Sequence, residues 1–245
     1  MLKAMRCDLH VHTCLSPCAD LDMYPGAVVR RFLEEKLDIV AICDHNASEN
    51  VPYILRLAEG KPLTILPGME ITSQEEVHVL ALFDRLEPLQ DLQKVVYDHL
   101  TGLNNEDVFG YQPIVNEHDE VEGFNEHLLI GATSLSIQQI IDHIHRLGGA
   151  AIASHVDRPS FSVISQLGFI GPDMPFDAVE VSRTADIRDA RQRFPELESW
   201  SMVTSSDAHF ITDIGRKWTR IHMAGGTIAE LKLAFQKQAG RYIEE

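Results

Sequence analysis

Cys7-Asp8-Leu9-His10-Val11-His12 is the stretch on which the reading of this chain turns. Alternate residues of a strand point the same way, so His10 and His12 converge like the arms of a chelate. The theme then recurs. Asp44-His45 follows one apolar run, Glu70 follows another, His78 lies inside a third, His155 follows a fourth, and Asp207-Ala208-His209 follows a last. A single His-x-His pair is weak evidence, because histidines are often satisfied by ordinary hydrogen bonds in a core. Six strand-end events are a pattern. Imidazoles and carboxylates are the ligands of borderline divalent ions, and a set this large exceeds one tetrahedral site. Two or three divalent metal ions are expected, with manganese, zinc and iron as the candidates.

Outward from that stretch, strands alternate with helices. Residues 8–12 read as a strand, 25–36 as a helix and 38–43 as a strand buried on both faces, with Pro25 suited to a first helical turn. A helix over 51–58, strands over 64–67 and 76–83 and a helix over 89–100 follow. Ser136 is placed to cap a helix through Leu147, and strands end at Ser154, Val181 and Ser205 before a last helix over 228–239. Such alternation implies a mainly parallel sheet, and polar residues gathered at strand ends imply that one rim carries the site, as in a β/α barrel. No phosphate-binding glycine loop is present to favour an open doubly wound sheet. Residues 101–131 have no clear period and are expected to form a mobile loop or inserted cap over the entrance, within one domain spanning 1–245. His143-Ile144-His145 is a decoy, because residues two apart on a helix do not share a face.

The 245 residues carry 21 Lys and Arg against 37 Asp and Glu, a net charge of −16, which argues against broad contact with long duplex nucleic acid. A small anionic substrate is still compatible, since the potential at a multi-metal site is set by its own cations. No apolar run of membrane length occurs, and no secretory leader is recognisable in Met1 to Arg6. A reducing cytoplasm is therefore the expected setting, with Cys7, Cys14, Cys18 and Cys43 as free thiols rather than a Cys14/Cys18 metal clip.

The runs His10-Val11-His12-Thr13, Ala41-Ile42-Cys43-Asp44-His45-Asn46, Pro67-Gly68-Met69-Glu70, Val77-His78-Val79-Leu80, Ser154-His155 and Ser205-Ser206-Asp207-Ala208-His209 together resemble the PHP (polymerase and histidinol phosphatase) superfamily. The resemblance implies a distorted seven-stranded β/α (TIM-like) barrel with up to three divalent metals at one rim. By position, it implies His10, His12, Glu70 and Asp207 on a first metal, Glu70, His78 and His155 on a second, and His45 and His209 on a third. Asp20 is the expected remaining ligand of the third, with Asp22 as fallback. Pro17-Cys18-Ala19 separates Ser16 from Asp20, and no glycine follows, which departs from the family spacing. Asp44 is expected to orient a neighbour.

The implied activity is metal-dependent hydrolysis of a phosphate ester of a small metabolite or nucleotide by a metal-activated hydroxide attacking phosphorus in line. Asp207, His209 and Arg158 are the catalytic candidates. Arg158 and Arg183 are the guanidinium candidates for the phosphoryl oxygens, while Arg183 and Arg216 each read equally well as a surface cation. His209, His155 or, more weakly, Asp157 could supply the leaving-group proton. Alternatives are an exonuclease on short RNA or DNA ends, with Phe109, Tyr111 and Phe161 as stacking candidates, or a metal-binding module with a scaffold role or a non-phosphate hydrolase activity.

Overall fold

The computed structural model describes residues 1–171, 173–185 and 187–244. Its strands are β1 (Lys3–Val11), β2 (Ile39–Ile42), β3 (Thr64–Thr72), β4 (His78–Leu82), β5 (Pro113–Val115), β6 (Val121–Phe124), β7 (Ala150–Ala153), β8 (Ala178–Val181), β9 (Met202–Thr204), β10 (Thr219–Met223) and β11 (Tyr242–Glu244). The helices are α1 (Pro25–Glu34), α2 (Val51–Ala58), α3 (Leu86–His99), α4 (Glu106–Phe109), α5 (Ile137–Arg146), α6 (Val163–Leu167), α7 (Ile187–Arg193) and α8 (Ile228–Phe235).

Nine strands form one sheet in the order β11-β10-β1-β2-β3-β4-β7-β8-β9, against the seven expected from sequence. The difference lies at the seam. A parallel bridge between Val11 and Ala208, with the His12 amide donating to the Ala208 carbonyl at 3.1 Å, draws the two ends of the β1 to β9 series together. β10 pairs antiparallel with the same edge of β1, further toward its start, β11 pairs antiparallel with β10, and Thr219 Oγ1 ties β10 to the Thr204 backbone of β9. The ring is further distorted because β3, β4 and β7 pair antiparallel and because β1 shifts register against β2 between Asp8 and Val11.

Alternation sorts the strand residues into two apolar layers. Val40, Ile42, Val79, Ala81, Ala151 and Ala153 pack with helix residues such as Val29, Phe32, Ile54, Leu92 and Ile141. Their neighbours Ile39, Ala41, Leu80, Leu82 and Ile152 join Leu231 and Phe235 of α8. Gly226, just before α8, lies against Ile39 and Thr64, where β2 and β3 begin, so this helix covers the end of the barrel opposite the motif-bearing strand ends. Local chemistry fixes the helices as expected: Pro25 opens α1, and Ser136 and Gln139 form a capping box on α5. His145 points to Asp177, its Nε2 at 2.9 Å from Oδ2.

The 101–131 segment contains structure that periodicity does not reveal. α4 is capped by Asn105, and β5 pairs with β6 as a hairpin. Elements of three or four residues are too short to carry a readable period. Side-chain amides dock them: Asn50 bonds the Pro113 carbonyl and the Val115 amide, while Asn46 donates to the Leu129 and Gly131 carbonyls at 2.8 Å. No helix among the described residues is long and apolar enough to cross a membrane.

Candidate metal centre

The rim residues are held by strand ends that turn sharply. His155 and Asp207 have φ values of 26° and 46°, and Asn46, beside His45, has 51°. Asn, Asp and His are the non-glycine residues that most readily occupy this left-handed region, so the sharp turns fall on residue types that tolerate them. The segment from Asp44 to Asn46, beyond the end of β2, runs beside Glu70 through an isolated bridge at His45: the Glu70 amide donates to the Asp44 carbonyl and the Asn46 amide to the Glu70 carbonyl.

Glu70, with a side chain only 1% exposed, is the hub. From Oε1, His78 Nδ1 lies at 3.0 Å, His155 Nε2 at 3.3 Å and His10 Nε2 at 3.4 Å. From Oε2, His45 Nδ1 lies at 3.1 Å and His12 Nε2 at 3.5 Å. Asp207 Oδ1 approaches the Nε2 atoms of His12 and His10 at 3.2 and 3.4 Å, and the ring of His209 lies 4.2 Å from that of His12. Three groups bring their donor atoms within 4.8 Å of one another: His10, His12 and Glu70; His45, Glu70 and His78; and His12, His45 and His209.

Electrostatics prepares these donors. Burial opposes the charge of Glu70, but His78 and His10 outweigh it and hold its carboxyl well below the usual range. Asp207 is likewise held low, against its burial, chiefly by His10 and His12. Burial and the neighbouring His209 push His12 down to about 3, and burial lowers His45. His10 is the exception. Burial disfavours its cation, but Glu180, Glu70 and Asp207 together raise its pKa well above that of free imidazole. Ionised carboxylates and neutral imidazoles are the forms that bind cations.

The donor set fits divalent ions on a second ground. Glu70 Oε1 and the Nδ1 atoms of His45 and His78, which face the Glu70 carboxylate, are buried without a hydrogen-bond partner among the described residues, a costly condition that cation coordination relieves.

Behind the ligand candidates stands a second tier. Asp44 accepts from the Thr13 amide and from Ser16 Oγ, both at 2.7 Å, and Ser16 Oγ lies 3.0 Å from His12 Nδ1. Asp44 thus acts on His12 through Ser16, a residue the sequence reading passed over. Glu180, also passed over, places Oε2 2.9 Å from His10 Nδ1 and 3.2 Å from the His155 amide. Its signal was a carboxylate in the otherwise apolar run Ala178-Val179-Glu180-Val181, a position that demands a partner. Asp8, fully buried, accepts from the Ser206 amide, and burial pushes its pKa up to about 7.

Eight of the nine ligand candidates gather here, and Asp20 does not. Its side chain is exposed and accepts the Asp22 amide, so the carboxylate closes a local turn, although its own amide donates to the His209 carbonyl at 2.8 Å. Asp22 is exposed as well. Arg158 reaches the centre, donating to Asp207 Oδ2. Arg183 is engaged elsewhere, 2.6 Å from Asp213, which also pairs with Arg216. Both oxygens of Asp157 accept from Ser182, which removes it as a free acid. Cys7, Cys14 and Cys43 are buried thiols and Cys18 an exposed one, and none belongs to the three donor groups.

A barrel rim carrying one carboxylate hub, a ring of imidazoles and an adjoining guanidinium is the architecture of a metal-dependent hydrolase. The chain belongs to the PHP domain family, whose model matches residues 8–174, and that family comprises metal-dependent hydrolases, phosphoesterases and nucleases among them. Among curated proteins it is similar to the uncharacterized protein YqxK of Bacillus subtilis (strain 168), at 28% identity over 116 residues, 45% of this chain and 29% of that protein. Among solved structures it resembles the lesion-specific endonuclease PfuEndoQ from Pyrococcus furiosus, with a TM-score of 0.73 and 18% identity over 98% of this chain and 58% of that one. Endonuclease Q in complex with a 27-mer duplex bearing an abasic lesion gives a TM-score of 0.68 at 17% identity, with the same coverage. A protein from Bifidobacterium adolescentis, provisionally described as a metal-dependent phosphoesterase, gives 0.57 at 18% identity, over 85% of this chain and 89% of that one. This chain therefore spans less than two thirds of YqxK and of the endonuclease.

Proposed function

We propose that the centre hydrolyses a phosphate ester of a small metabolite or nucleotide with two or three divalent ions, manganese, zinc or iron. The observation that carries this reading is Glu70 in contact with five imidazoles while Arg158 touches Asp207 at the same centre. His10, His12, Glu70 and Asp207 would hold a first ion, His78 and His155 with Glu70 a second, and His45 and His209 a third. Ions bound there supply Lewis acidity and lower the pKa of water. The protein contributes geometry and charge. Arg158, about one third exposed, offers a planar fork to non-bridging phosphoryl oxygens once it turns from Asp207. Glu180 and the Asp44–Ser16 pair hold His10 and His12 in place. In a two-ion centre, His209 supplies the proton to the leaving oxygen, since its side chain is 23% exposed while the other imidazoles of the centre are nearly closed off.

A second reading, cleavage of a nucleic-acid strand, draws on the likeness to an endonuclease over 98% of this chain. The likeness to a duplex-bound complex also removes force from the net charge of −16 as an argument against duplexes. Phosphate release from metabolite phosphates and nucleoside monophosphates, together with electrophoretic detection of cleaved fragments from short oligonucleotides and a duplex, with manganese-reconstituted protein and elemental analysis, tests both. Turnover of small esters alone supports the first reading, and turnover of strands alone the second. Full metal loading with no turnover would leave a binding role or a non-phosphate hydrolase.

A further inference from the structure

The segment from His155 to Ser162 presents two different groups to the centre. Arg158 reaches Asp207, and Phe161 lays its ring over His78 with centroids 4.8 Å apart and planes 19° from parallel. The segment is braced: the Arg158 amide donates to the His155 carbonyl, Ser162 Oγ donates to the Arg158 carbonyl, and the His78 amide donates to the Phe161 carbonyl at 3.0 Å. Phe161 pays for its place with a φ of 56°, an outlier for an aromatic residue, and such strain persists only where the surroundings enforce it. One face of the ring covers His78, yet the residue is still 40% exposed. A phenyl ring held in strain beside a guanidinium, one face turned to a ligand candidate and much of the rest in water, has the properties of a stacking platform.

We propose that Phe161 selects substrates whose phosphate is carried by a planar ring, a nucleobase or another arene, which stacks on its open surface while the phosphoryl group meets Arg158. The inference deepens the phosphoesterase reading and rests on it for the position of the phosphoryl group. The probes are benzylphosphonate and (cyclohexylmethyl)phosphonate, unreactive anions of equal charge and similar size that differ in planarity. Their dissociation constants are measured by calorimetry on the manganese-loaded chain. The wild type is expected to bind the benzyl compound about tenfold more tightly. Phe161→Leu should bring that ratio close to one, Phe161→Tyr should keep it, and Phe210→Leu, beside His209, should leave it unchanged. Elemental analysis of each variant separates loss of stacking from loss of the ions. Equal binding of the two probes by the wild type, a ratio that survives Phe161→Leu, or failure of both to bind a fully loaded chain overturns the proposal. Because neither probe is hydrolysed, absence of phosphate release from esters would strike the phosphoesterase reading alone.

Discussion

Glu180 accepts the Nδ1 proton of His10 across 2.9 Å, from a carboxylate sealed from water. With Nδ1 engaged there, Nε2 is the atom of His10 that faces Glu70 and Asp207. The same Oε2 receives the His155 amide, so one atom disciplines two ligand candidates from β1 and the end of β7.

Removing that oxygen in Glu180→Ala should weaken manganese binding by about 10–100-fold, the usual scale for partners of metal-bound histidines. Glu180→Gln, which retains an acceptor, should recover much of it. Competition with a chromophoric chelator measures both, and wild-type affinity in the alanine variant would dismiss the orienting role.

Glu70→Gln strikes the hub itself. The amide keeps the shape but withdraws the charge that faces five imidazoles, and each chain is expected to lose at least one ion by elemental analysis. Thermal melting offers an independent view. A chelator should lower the melting temperature of the wild type, with about 2.7 kcal/mol at stake where free ion exceeds its dissociation constant a hundredfold. The variant should respond less.

Asn50 joins the 101–131 segment to the strand-end loops, donating to Thr13 Oγ1 and Pro113 O and accepting from the Val115 amide. Asn50→Ala leaves the Val115 amide without its acceptor, at an expected cost of about 1–3 kcal/mol in urea unfolding. Amide exchange over residues 101–131 should rise as the dock loosens. Unchanged exchange would mean that the hairpin is held by other contacts.

Asp177 provides a pH test remote from the centre. Burial raises its pKa, but the bonds from His145 and the Ala151 amide and the nearby Lys232 outweigh that and lower it. A depressed carboxylate stabilises the fold above its unfolded pKa, about 3.9, and the contribution disappears as pH falls through the folded value. Wild type should therefore exceed Asp177→Asn in stability at neutral pH by about 1.5–3 kcal/mol, with the gap closing in acid. Urea unfolding at a series of pH values measures it, and a constant gap would assign the difference to packing.

The residues around Glu70 were legible because each stands at the end of, or inside, an apolar run, where strand geometry announces a rim. Glu180 was not, since it lies within a valine-flanked strand and ligates nothing directly; only the cost of burying its charge pointed to a partner. Ser16 was hidden by its small size. Asp20 rested on the family resemblance despite a departure from its spacing, with no local chemistry to support it, and its oxygen is engaged by the Asp22 amide two residues away. In the fold, β10 and β11 escaped notice because they lie beyond the last motif, and the 101–131 hairpin because its order comes from amide side chains on distant loops rather than from a repeating apolar pattern.

The bridge between Val11 and Ala208 joins the first strand to a segment nearly two hundred residues later. A ribosome delivers Asp207 and His209 nearly two hundred residues after His10 and His12, so the growing chain carries half-dressed imidazoles throughout that interval. Whichever cation is most available during that interval gains the first opportunity to bind, which makes the intracellular supply at the moment of birth, as well as the finished geometry, a determinant of which ion the protein carries.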